Sequence, residues 1–168
     1  SGKMGVALAR EARALGAHVT LVLGPATEAA PAGVDVVPVE TAAQMLEATQ
    51  AAFSRATMLI CAAAVADYRP AKQASRKLKK GIDELESIQL EQTDDILARL
   101  SHDRGDRIVI GFAAETGNPI DYAQQKLVRK GCDAIVANDV SRSDSGFGSD
   151  TNKAWWITAH ATEELPLL

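Results

Sequence analysis

A chain of 168 residues with 18 Lys and Arg against 22 Asp and Glu carries a net charge of −4. Nothing global therefore argues for nucleic acid or an anionic membrane as partner. Its 46% apolar content is that of a soluble globular protein, and its length suits one domain that buries about two thirds of its unfolded surface. No apolar run reaches the roughly 18 residues of a spanning helix. The first residues show no signal-peptide pattern, so the expected compartment is the cytoplasm. Cys61 and Cys132 lie far apart, without the paired spacing or neighbouring His of a metal site, and read as two buried, reduced thiols.

In chain order, residues 2–15 place Met4, Leu8, Ala12 and Leu15 at helical spacing, with Gly16 as the stop. "HVTLVLG" (18–24) and "VDVVPV" (34–39) read as strands around a Pro/Gly-punctuated loop. Thr41 caps a helix through about Phe53. "TMLICAAAV" (57–65) is a near-continuous apolar run, the pattern of a strand covered on both faces. A basic stretch follows, and "ESIQLEQ" alternates like an edge strand. Thr93 is expected to cap a helix to about Leu100, with Asp94 and Asp95 in its first turn, where the helix dipole favours acids. "RIVIGFA" (107–113), "DAIVAN" (133–138) and "AWWITA" (154–159) read as strands, and "NPIDYAQQKLVRKG" (118–131) as a helix stopped by Gly131. This alternation predicts a three-layer α/β sandwich with a mainly parallel sheet, Rossmann-like, in a single domain over 1–168. The opening helix has no strand before it, and "SGKMG" looks like the tail of a phosphate-binding turn. A preceding strand is therefore expected to be missing.

Ligands in such sheets bind outside the carboxyl ends of the strands. Those ends supply Gly24, then Ala64, Ala66 and Asp67, then Phe112, Ala113, Glu115 and Thr116, then Asn138 and Asp139. Any one of these polar residues would serve as a turn or cap residue; together at one sheet edge they favour a binding site. Arg69 to Lys80 holds six Lys or Arg and no acid. A solvated loop is the plain reading of that run. Leaving from a strand end, however, it suits a cationic cover over a polyphosphate, with Asp67 beside its Mg²⁺. "SGKMG" lacks the frame of a P-loop. Tyr122 and Lys126 show the Y-x-x-x-K spacing of short-chain dehydrogenases, without a G-x-G-x-x-G to support it. His18, His102 and His160 are scattered and read as surface or packing residues.

Seven segments in order resemble one family. They are "SGKMG" (1–5), "AAVADYRP" (63–70), "KLKK" (77–80), "GFAAET" (111–116), "KLVRKGCD" (126–133), "AND" (137–139) and "GFGSDTN" (146–152). The family is phosphopantothenoylcysteine synthetase, the ligase domain of coenzyme A biosynthesis, often fused to a decarboxylase in bacteria. The resemblance implies that the carboxylate of 4′-phosphopantothenate attacks the α-phosphate of CTP, leaving an acyl-cytidylate from which the cysteine amine displaces CMP. It also implies Mg²⁺ and a homodimer. Carried over by position, Cys61, Ala62 and Ala63 contact the nucleotide, and Asp67 is the nucleotide-site and metal-linked carboxylate. Lys77 is the flexible-loop lysine acting on the acyl-cytidylate. Phe112 packs at the cytosine ring, with Lys126 and Lys130 near the nucleotide. Asp94, Asp95, Ile96 and Leu97 occupy a nucleotide-contacting turn in which Asp94 replaces the family's proline and Thr93 its asparagine. Ser1, Gly2 and Lys3 resemble the turn that receives the substrate phosphate, and Ala63, Ala64 and Asn138 are substrate contacts. The family's first strand and substrate-binding asparagine have no counterpart, and the C-terminal end is short. Two other readings stand beside the ligase: a nicotinamide-dependent reductase using Tyr122 and Lys126, and a nucleotide-binding module without catalysis.

Overall fold

The computed structural model describes residues 2–72, 74–79, 87–141 and 152–166. Ser1, Lys80, Glu86 and residues 146–151 of the readings above lie outside them. Local chemistry at the caps sets where the helices start. Helix α1 (Lys3–Ala14) begins at Gly2, whose φ of 75° is a left-handed conformation that glycine adopts without strain. Its buried positions are Val6 and Ala9, while Leu15 is 87% exposed at the C-cap, so the stripe Met4–Leu8–Ala12–Leu15 misplaces the packed face. Helix α2 (Ala42–Phe53) starts in a full capping box between Thr41 and Gln44.

The strands form three sheets. Parallel β1 (Thr20–Leu23) and β2 (Asp35–Pro38) make one pair. The central sheet contains β3 (Met58–Cys61), β6 (Ile108–Glu115), β7 (Ala134–Asp139), β8 (Ala154–Thr158) and β9 (Thr162–Glu164), in that order. Its β3–β6 and β6–β7 pairs are parallel, and β8 and β9 add antiparallel at the far side. This is the mixed α/β architecture with a mainly parallel central sheet. The third sheet is an antiparallel ribbon of β4 (Tyr68–Pro70) and β5 (Leu90–Gln92), with Arg69 paired to Glu91 at 2.8 Å. Helix α3 (Ile96–His102) precedes β6, and α4 (Pro119–Lys130) joins β6 to β7. Asn118 caps α4, and Gly131, with φ 66°, ends it.

Residues of α2, α3 and α4 share one core with the sheet, built on Phe53, Leu100, Val109, Ala123, Leu127, Ile135 and Ile157. Gly111 is what lets α3 lie against β6: a Cβ there would sit 2.7 Å from both Leu97 Cδ2 and Ile135 Cδ1. Three expectations are corrected. β3 is four residues long and is not covered on both faces, since Met58 and Ile60 are 46% and 38% exposed. It is also the edge strand of its sheet among the described residues. The edge strand expected over "ESIQLEQ" is confined to Leu90–Gln92 among the described residues, where it pairs with β4 and has no buried face. Finally, Thr93 does not cap α3. Asp95 does, accepting from the Ala98 amide at 3.0 Å, so Asp94 and Asp95 precede the helix.

Candidate functional site

Strands β3, β6 and β7 end at Cys61, Glu115 and Asp139 on the same side of the sheet, as parallel pairing requires. Helix α4 runs back from the end of β6, so Lys126 and Lys130, four residues apart, lie on one face of it. The Lys126 ammonium donates to the Phe112 carbonyl at 2.8 Å. Burial lowers its pKa; Glu115 opposes that shift, Lys130 and Arg129 add to it, and Asp95 opposes it. Lys130 forms an ion pair with Asp95. Burial pushes the Asp95 carboxyl up, but the Lys130 hydrogen bond and charge, the Ala98 amide and Arg129 together hold it below the usual carboxylate range.

Asp95 also acts on Cys61. Burial pushes the Cys61 thiol up to about 12, with Cys132 and Asp95 adding to the shift. A thiol so placed stays neutral and is no nucleophile; Cys132 is shifted the same way by burial. Neither cysteine is in a disulfide; Cys132 is buried as expected and Cys61 only partly so. Cys61, Asp95, Phe112, Lys126 and Lys130 are thus brought together, with Glu115 from the expected strand-end set beside them.

Within the 94–97 segment the side chains divide. Asp94 faces Arg99 at 3.4 Å, both largely exposed. Ile96 is buried, and Leu97 packs on Gly111 and Ile135. Beyond β3, Ala62 is half-buried while Ala63, Ala64 and Asp67 are exposed. The chain is pinned there by Thr93, whose hydroxyl donates to the Ala66 carbonyl at 2.5 Å and whose N–H donates to the Asp67 carbonyl at 2.9 Å. That role as a brace was hidden because threonine is also a common helix cap.

The Asp67 carboxylate has no hydrogen-bond or ion-pair partner among the described residues. No group of three His, Cys, Asp or Glu that could hold a metal occurs among them either. Magnesium is usually held by one or two carboxylates together with substrate phosphates and water, so a lone exposed Asp67 fits a phosphate-borne ion rather than a protein cage. Lys77 is exposed, and its carbonyl accepts from Arg76 Nη1 at 3.5 Å. Gly2 closes on the loop after β1, where a Cβ would lie 2.7 Å from Ala26 Cβ. Lys3 is exposed in the first turn of α1.

At the end of β7, Asn138 Nδ2 donates to Asn152 Oδ1 at 3.0 Å, and Asn138 Oδ1 is buried without a partner among the described residues. An acceptor left so calls for a donor from water or ligand. Asn152 belongs to the "GFGSDTN" segment, which offered no role for any single residue. Tyr122 is 52% exposed while the Lys126 ammonium is engaged by Phe112, an arrangement unlike a reductase Tyr–Lys pair.

The family model described as "DNA/pantothenate metabolism flavoprotein C-terminal domain" matches residues 1–168. The chain belongs to this family. It is 42% identical over 174 residues to the "Coenzyme A biosynthesis bifunctional protein CoaBC" of Mycobacterium tuberculosis, covering 97% of this chain and 41% of that protein. The Bacillus subtilis protein of the same name is 43% identical over 153 residues, covering 90% of this chain and 37% of the relative. A "Cysteine/Cysteine sulfinic acid decarboxylase" from an unknown prokaryotic organism is 43% identical over 91% of this chain and 43% of its own length. The family domain thus spans about two fifths of these curated relatives. A solved structure titled "C-terminal Domain of Coenzyme A biosynthesis bifunctional protein CoaBC" superposes with a TM-score of 0.79 at 40% identity, over 100% of this chain and 76% of the other. A Streptococcus pneumoniae flavoprotein structure at 18% identity and TM-score 0.81 shares the fold.

Proposed function

We propose that this chain carries the CTP-dependent ligase activity of coenzyme A biosynthesis, joining 4′-phosphopantothenate to cysteine through an acyl-cytidylate. The observation that supports it most is the gathering of Lys126, Lys130, Asp95 and the Phe112 backbone beside the Cys61–Asp67 strand end. Family membership and the printed names of the relatives point to the same biosynthetic route.

The reaction brings two anions together, a carboxylate and a triphosphate, and charge neutralisation is its first requirement. Lys126 and Lys130 supply fixed positive charge at the sheet edge. Lys77, on the arm that leaves β4, brings a further cation over the α-phosphate and the acyl-cytidylate. Phe112 offers its ring to the cytosine. Asp67 is the carboxylate that would hold Mg²⁺, which when bound neutralises charge on the triphosphate. Gly2 and Lys3, with Ser1, receive the phosphate of phosphopantothenate, and Asn138 with Ala63 and Ala64 contacts the substrate. The neutral Cys61 thiol lines the nucleotide site and takes no covalent part. A homodimer, a cytoplasmic location and linkage to a decarboxylase region complete the proposal.

Calorimetric titration of CTP, ATP and NADPH with Mg²⁺, followed by a pyrophosphate-release assay with phosphopantothenate and cysteine, tests it. CTP binding with pyrophosphate release supports the ligase. CTP binding without release leaves a nucleotide-binding module, and NADPH binding with indifference to CTP favours the reductase.

A further inference from the structure

Lys126 and Lys130 are one helical turn apart, and the Lys130 charge adds to the burial that lowers the Lys126 pKa. The fold fixes them differently. Lys126 leans on a backbone carbonyl, whereas Lys130, its side chain 18% exposed, is paired to a carboxylate from another helix. That carboxylate has both oxygens engaged: Asp95 Oδ1 accepts from the Ala98 amide at 3.0 Å, and Oδ2 takes the Lys130 ammonium. One side chain therefore ties the start of α3 to the end of α4. A lysine stem left without such an anchor samples many rotamers, and ordering it on ligand binding costs affinity.

We propose that Asp95 is a positioning residue: it holds the Lys130 ammonium a turn from Lys126, so that both cations meet the nucleotide phosphates already ordered. Asp95 itself does not contact the nucleotide through its side chain. The assignment rests on the nucleotide reading above and reassigns Asp95 from a nucleotide contact to its support. Cys61, Lys126, Arg129 and Lys130 are the titratable groups that sense or shift it.

The test is a double-mutant cycle of Asp95→Asn and Lys130→Met in the whole chain, read by CTP calorimetry and thermal melting. Asparagine caps a helix about as well as aspartate, so Asp95→Asn is expected to melt like the parent while binding CTP about tenfold more weakly. The double variant is expected to bind no worse than Lys130→Met alone. The same Lys130→Met chain provides a readout free of nucleotide: by ¹³C NMR the Asp95 carboxyl is expected to titrate at higher pH than in the parent. An unmoved titration, penalties that multiply, or a folded Asp95→Asn that binds CTP as well as the parent would each overturn the role. A parent chain that binds no CTP takes down the nucleotide reading and this assignment together. CTP binding with uncoupled penalties takes down Asp95 alone.

Discussion

The two ends of the central sheet are built on opposite plans. At the amino ends of β6 and β7, arginines satisfy backbone carbonyls in a closed hub. Arg107 donates to the carbonyls of Phe53 at 2.7 Å, Arg104 at 2.6 Å and Asp103 at 2.5 Å, and stacks 4.2 Å over the Phe53 ring. Arg104 reaches Gly131 at 2.7 Å and pairs with Asp133 at 3.3 Å, while Asp133 accepts from the Val109 amide at 2.8 Å. At the carboxyl ends the polar groups are left ready for something else: an exposed Asp67, an exposed Lys77, and an Asn138 oxygen without a donor among the described residues. One end spends its arginine donors on carbonyls within the chain, which is the mark of stability. The other keeps donors and acceptors in reserve, which is the mark of a site.

Substitutions at the two ends should therefore separate activity from stability. The largest effect is expected for Lys77→Gln, with turnover falling about a thousandfold, as for loss of a transition-state cation, and the melting curve unchanged. Normal turnover would remove the arm from the mechanism. Arg107→Ala is expected to lower unfolding free energy by about 3 kcal/mol, because three carbonyls lose a charged donor. Urea titration reads it, and CTP affinity of the folded fraction should stay as it was. Gly111→Ala sits between the plans, forcing Leu97 or Ile135 aside. A loss of about 2 kcal/mol is expected, with weaker CTP binding as α3 shifts; a neutral result would show that α3 yields freely. Asp67→Asn is expected to cut the Mg²⁺-dependent part of CTP affinity about tenfold, worth about 1.4 kcal/mol, and to leave Mg²⁺-free binding unchanged. The smallest effect belongs to Arg69→Ala, since an exposed ion pair contributes about 0.5 kcal/mol or less. A larger loss would mean that the ribbon is packed against something beyond the described residues.

Much of this division was legible in the sequence. Thr41 at the start of α2, and the 118–131 segment with its stop at Gly131, place both helices to within a residue. The small residues and acids after the strands mark the carboxyl edge because parallel pairing leaves no other place for them. Where the reading failed, local chemistry offered equal choices. Thr93 and Asp95 are both good caps two residues apart, and the Ala66 carbonyl, distant in sequence, decides between them. In "TMLICAAAV" every residue after Thr57 is apolar, so no periodicity could report that Met58 and Ile60 are partly exposed. The hub arginines were invisible for a related reason: Arg104 and Arg107 look like ordinary surface charge until the carbonyls they serve are in place.

The Thr93 brace has a consequence for how such proteins vary. With Thr93 tied to Ala66 and Asp67, and the ribbon extended by the Ala71 amide donating to the Gln89 carbonyl at 2.9 Å, the excursion between β3 and α3 enters and leaves the sheet through one fixed doorway. The two ends of the excursion are thereby held one hydrogen bond apart. Doubling its length would cost only about 0.6 kcal/mol of closure entropy. A change of length between Ala71 and Gln89 is thus expected to cost the fold little, and the doorway makes that stretch a natural place for related sequences to differ in length.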